Sequence, residues 1–170
     1  MAFDGQPRVS PDGKWIAFTS DRDGAENVWI LNRETRETRQ ITRLRDKVVQ
    51  SPGWPPDGNY IVATGGEIVF LPGKLWMFHI DGGGGVQLAK SPPNSNPFAG
   101  TLTTGAAFGP DGRYIWYAQR QGTWQYNAIY PQFQLAVFDR QSGRNEQRTS
   151  RFGSGIRPTP SPDGKWLVYA

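Results

Sequence analysis

This sequence predicts an all-β chain of four-stranded antiparallel units, each packed face to face on the next. Three observations carry the prediction: a turn motif that recurs four times, a second apolar run and a Gln that follow it, and strands that are apolar on both faces. The turn segments are RVSPDGKWIAFTS at 8–20, GWPPDGNYIVATG at 53–65, AFGPDGRYIWYAQ at 107–119 and TPSPDGKWLVYA at 159–170. They align on Asp12, Asp57, Asp111 and Asp163, each preceded by Pro and followed by Gly13, Gly58, Gly112 or Gly164. Pro presets φ for the first central turn position, Asp accepts from its own backbone, and Gly takes positive φ without steric cost. The recurring Asp and Gly residues are therefore structural, a set of tight hairpin turns rather than a ring of catalytic carboxylates.

Each turn joins two strands. Ahead of it a short strand reaches Val9, Trp54, Phe108 or Pro160; behind it runs an aromatic, apolar strand that begins at Trp15, Tyr60, Tyr114 or Trp166. In the first unit Trp15 and Ala17 point one way and Ile16 and Phe18 the other, since side chains alternate along a strand. Two apolar faces require a neighbour above and below. The third strand is the apolar run VWIL at 28–31, LWMF at 75–78 or LAVF at 135–138. The fourth is polar and carries Gln40, Gln87 or Gln147, in each case nine residues after the run ends. From one turn Asp to the next the chain advances 45, 54 and 52 residues, and the nine-residue spacer stays constant while the segments on either side of it absorb the variation. Constant strand pairing with variable loops behaves in this way.

Buried inner strands, a wet outer strand and a period near 50 residues describe a blade of a β-propeller. The chain is then a single partial propeller over 1–170: units at about 6–50, 51–104 and 105–154, and a half blade at 155–170, giving three blades plus two strands of a fourth. A helix over 25–51, the longest stretch without Gly or Pro, is rejected because RETRETRQ at 33–40 offers no apolar stripe.

Composition narrows the function classes. There is no Cys, hence no disulfide framework, thiolate metal site or Cys nucleophile. The net charge of +4 is concentrated between Arg33 and Lys47, where six basic residues meet three acidic ones; this reads as a solvated face, with no nucleic-acid partner expected. The opening MAFDGQPRVS has neither the charged nor the apolar region of a signal peptide. Apolar runs such as LWMF and WLVYA are far shorter than the roughly 20 residues of a membrane helix, so no membrane insertion is expected.

The phrase SPDGKWIAFTSDRDGAENVWILNRETRETRQIT at 10–42 resembles the TolB-type repeat, a WD-repeat-like propeller blade marked by Ser-Pro-Asp-Gly, an aromatic strand, a polar hairpin and a terminal Gln-Leu-Thr strand. The resemblance covers nearly the whole chain. It departs at Pro55 and Gly109 in place of the turn Ser, at Arg148 after Gln147, and in the insertions at 91–104 and 119–133. At finer grain the opening FDGQPRVSPDGKWIAFTSDRDGAENVWI and the closing RPTPSPDGKWLVYA are similar to the N-terminal propeller of a bacterial amidohydrolase. That resemblance implies a non-catalytic propeller of a larger hydrolase, serving protein or peptide binding or gating of substrate. Its partners would be further blades and a catalytic domain of the parent chain, or a second copy. TolB-type blades imply two alternatives: a stand-alone periplasmic interaction module, or the propeller of a prolyl-oligopeptidase-type serine peptidase. The implied location is periplasmic or secreted.

Chemistry within the chain is sparse. An amidohydrolase metal needs several His and a carboxylate, and His79 is the one His. No Gly-x-Ser-x-Gly elbow accompanies it. No catalytic, metal or cofactor residues are assigned, and no activity is expected of this chain alone. Asp21, Asp23 and Gly24 superficially match a calcium loop but lack its closing Glu, and GGGG at 82–85 lacks the Lys of a phosphate loop; both read as hairpin turns. Trp124, Tyr126, Tyr130 and Phe133 fall in the 119–133 insertion, outside the repeat, and are the candidate contact surface.

Overall fold

The computed structural model describes residues 2–45, 48–66, 74–89, 102–120, 133–150 and 155–170, and every regular element among them is a strand. Three four-stranded antiparallel sheets and one two-stranded sheet follow one another along the chain. The first blade is β1 (Asp4–Val9), β2 (Trp15–Ser20), β3 (Asn27–Asn32) and β4 (Thr38–Gln40). The second is β5 (Val48–Gly53), β6 (Tyr60–Gly66), β7 (Lys74–His79) and β8 (Val86–Ala89). The third is β9 (Leu102–Phe108), β10 (Tyr114–Arg120), β11 (Gln134–Asp139) and β12 (Arg144–Gln147), and the half blade is β13 (Thr159–Pro160) and β14 (Leu167–Val168). Strands within each blade are paired in sequence order, the simple meander that short turns dictate. The fold is all-β, a partial propeller of three blades and two strands of a fourth.

The constant nine-residue spacer has a concrete cause. Gln40 pairs with Trp29, Gln87 with Trp76 and Gln147 with Ala136, the same register in all three outer hairpins. Two residues further on, the Thr42 and Thr149 hydroxyls accept the backbone N–H of Val28 and Leu135 at 2.9 Å, tying the exit of the fourth strand to the start of the third.

The core sits between blades. Ala17, Val28, Ile30 and Ile41 of the first blade pack with Val49, Ile61, Ala63 and Phe78 of the second, with Trp15 at the margin. Val62 and Leu75, on the opposite face of the second blade, pack with Ile115, Tyr117, Ala136 and Phe138 of the third. Alternation along the second strand thus sends positions three and five after the turn Asp to the following blade. Positions four and six go to the preceding one.

Each inner strand also carries an irregularity. Between Gly5 and Arg8, Gln50 and Gly53, and Thr104 and Ala107, two residues face one on the partner strand. In the half blade Ile156 and Ala170 exchange backbone hydrogen bonds beyond the Thr159–Val168 pair, which leaves Arg157 and Pro158 opposite Tyr169. These are β-bulges, and the first bulged residue is left-handed every time: Gln6 (φ 54), Ser51 (φ 54), Gly105 (φ 66) and Arg157 (φ 53). All four lie six residues before the turn Asp. Pairing resumes beyond the bulge, so the inner strands begin at Asp4, Val48 and Leu102, ahead of the unit boundaries near 6, 51 and 105. The bulges touch from blade to blade: the Gln6 side chain accepts the Ser51 N–H, and a Cβ on Gly53 or Gly105 would meet Ala106 O at 2.8 Å or Arg157 Cα at 3.0 Å.

Candidate functional site

The four turns are built alike, with one variation. The glycine after each Asp has φ of 68–72° and donates its N–H three residues back, Gly13 to Ser10 O at 2.9 Å and Gly164 to Ser161 O at 3.0 Å. The turn Asp accepts the backbone N–H two residues on, from Lys14, Asn59, Arg113 or Lys165, at 2.9–3.1 Å. In the first and last turns a Ser adds a bridge: Ser10 Oγ donates to Asp12 at 2.6 Å and accepts Trp15 N–H at 2.9 Å, and Ser161 does the same between Asp163 and Trp166. Those hydroxyls, chiefly, hold the Asp12 and Asp163 carboxyls below the ordinary range. Pro55 and Gly109 stand where that Ser would be in the middle turns, and neither has a hydroxyl to donate. Behind the first and third turns the Arg33 and Arg140 guanidiniums donate to Gly13 O at 2.7 Å and Gly112 O at 2.8 Å. Every one of these carboxylates is engaged with its own turn, so the motif is scaffold.

Several other charged groups are paired locally. Asp139 takes a two-pronged contact from Arg113, at 3.0 and 2.7 Å, plus the Gln141 N–H and the Ser142 hydroxyl. The Arg113 hydrogen bonds hold its carboxyl far below the usual value. His79 meets the Tyr60 ring edge-on at 5.0 Å and its Nδ1 accepts the Asp81 N–H at 3.2 Å. The Asp21–Gly24 segment is a hairpin turn: Gly24 N–H donates to Asp21 O at 2.8 Å, and Gln40 donates to the Asp23 carboxylate. Gly82, Gly83 and Gly85 have positive φ, and a Cβ on Gly85 would sit 2.4 Å from the Phe78 ring, so close packing on that ring demands glycine there. Among the described residues no three of His, Cys, Asp and Glu are grouped to hold a metal ion.

Of the candidate contact aromatics, Trp124, Tyr126 and Tyr130 lie outside the described residues. Phe133 does not offer a free face. It is buried, just ahead of β11, and the Arg120 guanidinium lies 6.0 Å from its ring centre. A concave surface appears elsewhere: a cleft of about 490 Å³ bounded by the β2–β3 hairpin and the segment after β4. Asp23, Asn27 and Gln40 line it, with Arg43 and Arg45 among its exposed residues. The Asn27 side chain at its base is fully used, bonding Thr42, Leu44 and Ala25. Such a cleft can hold a polar or acidic segment, but its groups form no nucleophile–base pair. Sequence reasoning missed it because it joins a hairpin to residues some 20 positions later.

No protein-family profile matches the chain. Among solved structures it superposes on TolB from Acinetobacter baumannii with a TM-score of 0.73, at 18% identity, over 98% of this chain and 37% of that one. The fold is that of a TolB-like propeller. The tricorn protease is a second structural neighbour of the propeller, with a TM-score of 0.63 at 15% identity over 92% of this chain and 14% of the protease. In sequence the chain is 28% identical over 166 residues to the uncharacterized peptidase YuxL of Bacillus subtilis, covering 96% of this chain and 21% of the peptidase. Tricorn protease homolog 1 of Streptomyces coelicolor is 32% identical over 87 residues, 51% of this chain and 8% of that protein. The propeller therefore spans about a fifth or less of these two relatives. Their names are peptidase names, and the amidohydrolase resemblance gains no support from them.

Proposed function

We propose that the chain is a non-catalytic propeller segment of a larger peptidase, binding protein or peptide and shaping access to a catalytic domain. The observation that carries this reading is the YuxL match, which runs along 96% of this chain yet occupies 21% of that peptidase. The turn carboxylates, Asp139 and His79 are spent on local structure, which supports the non-catalytic reading, and in that reading the cleft beside Arg43 and Arg45 would take the bound segment. The amidohydrolase parent expected from the opening and closing segments is the less supported form of the same idea. A periplasmic or extracellular location accompanies the reading through its TolB likeness.

Hydrolysis of dipeptide and cyclic-amide substrates, with and without added zinc, tests the non-catalytic claim. No turnover is expected, and turnover by the purified chain overturns it. Sequencing the gene downstream of the Ala170 codon tests the parent. A Gly-x-Ser-x-Gly elbow supports the peptidase, whereas a His-x-His metal motif points to the amidohydrolase and an immediate stop codon to a stand-alone module.

A further inference from the structure

We infer, on the reading that the chain binds protein or peptide, that the first blade takes an acidic segment in the cleft between the β2–β3 hairpin and the chain leaving β4, with Arg43 and Arg45 receiving its side-chain carboxylates. Six basic residues stand between Arg33 and Lys47 against three acidic ones. Two of the six are spent on the fold: Arg33 donates to Gly13 O at 2.7 Å, and Arg39 reaches Asp81 at 3.5 Å and lies over the Trp15 ring. Arg43 and Arg45 both line the cleft and are exposed. Among the described residues neither makes a hydrogen bond, an ion pair or a ring contact.

The pair is fixed from below. Leu44, between them, packs its side chain against the core shared by the first two blades. Asn27 grips its backbone, accepting the Leu44 N–H at 3.0 Å and donating to the Leu44 carbonyl at 3.2 Å. Asn27 is 1% exposed; it also accepts the Thr42 hydroxyl at 2.8 Å and donates to Ala25 O at 3.3 Å, which fills the two acceptor and two donor places of an amide. A residue held through its side chain and both backbone groups leaves its neighbours little backbone freedom, so less entropy is lost when a ligand orders them. The blade itself does not require these cations. Counted from the Gln of the fourth strand, the places of Arg43 and Arg45 belong to Lys90 and Pro92 in the second unit and to Ser150 and Phe152 in the third. The bond to threonine does recur, since Gln134 accepts the Thr149 hydroxyl at 2.8 Å. The scaffold is repeated and the arginine pair is not.

The other cleft groups select among anions. Asp23 lines the same cleft, its carboxylate receiving the Gln40 amide. Two cations against one anion attract carboxylates, while Asp23 can accept a further hydrogen bond from a backbone N–H. An acidic peptide supplies both carboxylates and N–H donors; a phosphodiester backbone supplies the anions without the donors. The volume of about 490 Å³ lies in the range of small-ligand pockets and suits a short segment.

Fluorescence anisotropy of labelled peptides at low ionic strength tests the assignment. The probe is an acetylated, amidated peptide of alternating glutamate and glycine. Its controls are the same peptide with glutamine for glutamate, that glutamine peptide with a free carboxyl terminus, and a single-stranded DNA oligonucleotide. The glutamate peptide is expected to bind about tenfold tighter than the amidated glutamine one, the scale of two partly exposed guanidinium–carboxylate pairs, and to weaken as salt is added. The double variant Arg43→Gln, Arg45→Gln should lose that margin. Arg36→Gln with Arg144→Gln removes the same charge from exposed positions outside the cleft and should leave the affinity within about twofold. Equal binding of the glutamate and glutamine peptides overturns the acidic preference but leaves the broader peptide-binding reading standing, whereas binding of neither counts against both. Equal losses in the two double variants, tighter binding of the free-terminus glutamine peptide, or equal binding of the oligonucleotide each overturns the site.

Discussion

Gly112, in the turn of the third blade, lies against Pro56 in the turn of the second, so that a Cβ on the glycine would sit 3.1 Å from the proline ring. Gly164 meets Pro110 in the same way, also at 3.1 Å, whereas Gly58 has nothing within 4 Å. All three have φ near +70°. Ala at any of them adopts a left-handed backbone, which costs about 1 kcal/mol. Gly112→Ala should lose roughly 1 kcal/mol more than Gly58→Ala from overpacking on Pro56. Urea denaturation midpoints of the two variants check the difference.

The inner-strand bulges give a second contrast. Gly105→Ala combines positive φ with a Cβ 3.0 Å from Arg157 Cα and should cost about 2 kcal/mol. Ser51→Gly removes a side chain from a left-handed position and should be neutral or stabilising by roughly 0.5 kcal/mol, after the entropy of the added glycine is subtracted. A lowered melting temperature for Gly105→Ala and an equal or raised one for Ser51→Gly is the expected outcome.

Ser10 is the chief cause of the lowered Asp12 carboxyl, so carboxyl titration by NMR should find Asp12 below 3.8 in the wild type and moved upward in Ser10→Ala. A carboxyl lowered by folding contributes stability that is complete above its unfolded value and is lost as pH falls through the folded one. The Ser10→Ala variant should therefore lose less stability than wild type on acidification below about pH 4.

Asp139 and Arg113 form the most fully bonded ion pair described. Asp139→Asn should lower the denaturation midpoint at pH 7 and flatten its fall below the ordinary carboxylate value of 3.8, since the group lowered by Arg113 is then absent. Arg113→Lys should retain part of the midpoint, because an ammonium keeps the charge but cannot make both parallel bonds.

Tyr117 is buried at the second interface, its hydroxyl donating to Asn145 at 3.0 Å, and burial pushes its ionisation up to about 12. A raised phenol contributes stability that is present below its ordinary value of 10 and lost as pH rises from 10 toward 12. Absorbance at phenolate wavelengths should show a component that ionises above pH 10 in the folded chain and at the ordinary value in urea. Tyr117→Phe should remove that difference.

Much of the architecture is legible in the residues. Pro-Asp-Gly states its own turn geometry, alternating apolar positions state two buried faces, and the nine-residue step to Gln40, Gln87 and Gln147 states a fixed hairpin register. The bulges left a trace that pattern reading passed over: Pro7, Pro52 and Pro158 stand five residues before three of the turn Asp residues. Ala106 takes that place in the third blade, and the left-handed residue before it differs each time, so the regularity lies in φ rather than in residue type. Phe133 was legible as an aromatic outside the repeat but not as a buried one, because burial depends on contacts such as that with Arg120, thirteen residues earlier in the chain.

By itself, then, the sequence determined local matters: turn type, strand identity, hairpin register and the poverty of catalytic groups, all of which depend on residues within about ten positions of one another. Which face of each blade meets which neighbour was decided by tertiary structure. Trp15 and Trp166 follow identical SPDGK turns, yet one is packed and the other exposed, and Asp4 and Val49 hold the same strand position with opposite surroundings. Burial is a property of what stands across the interface, and that partner is dozens of residues away.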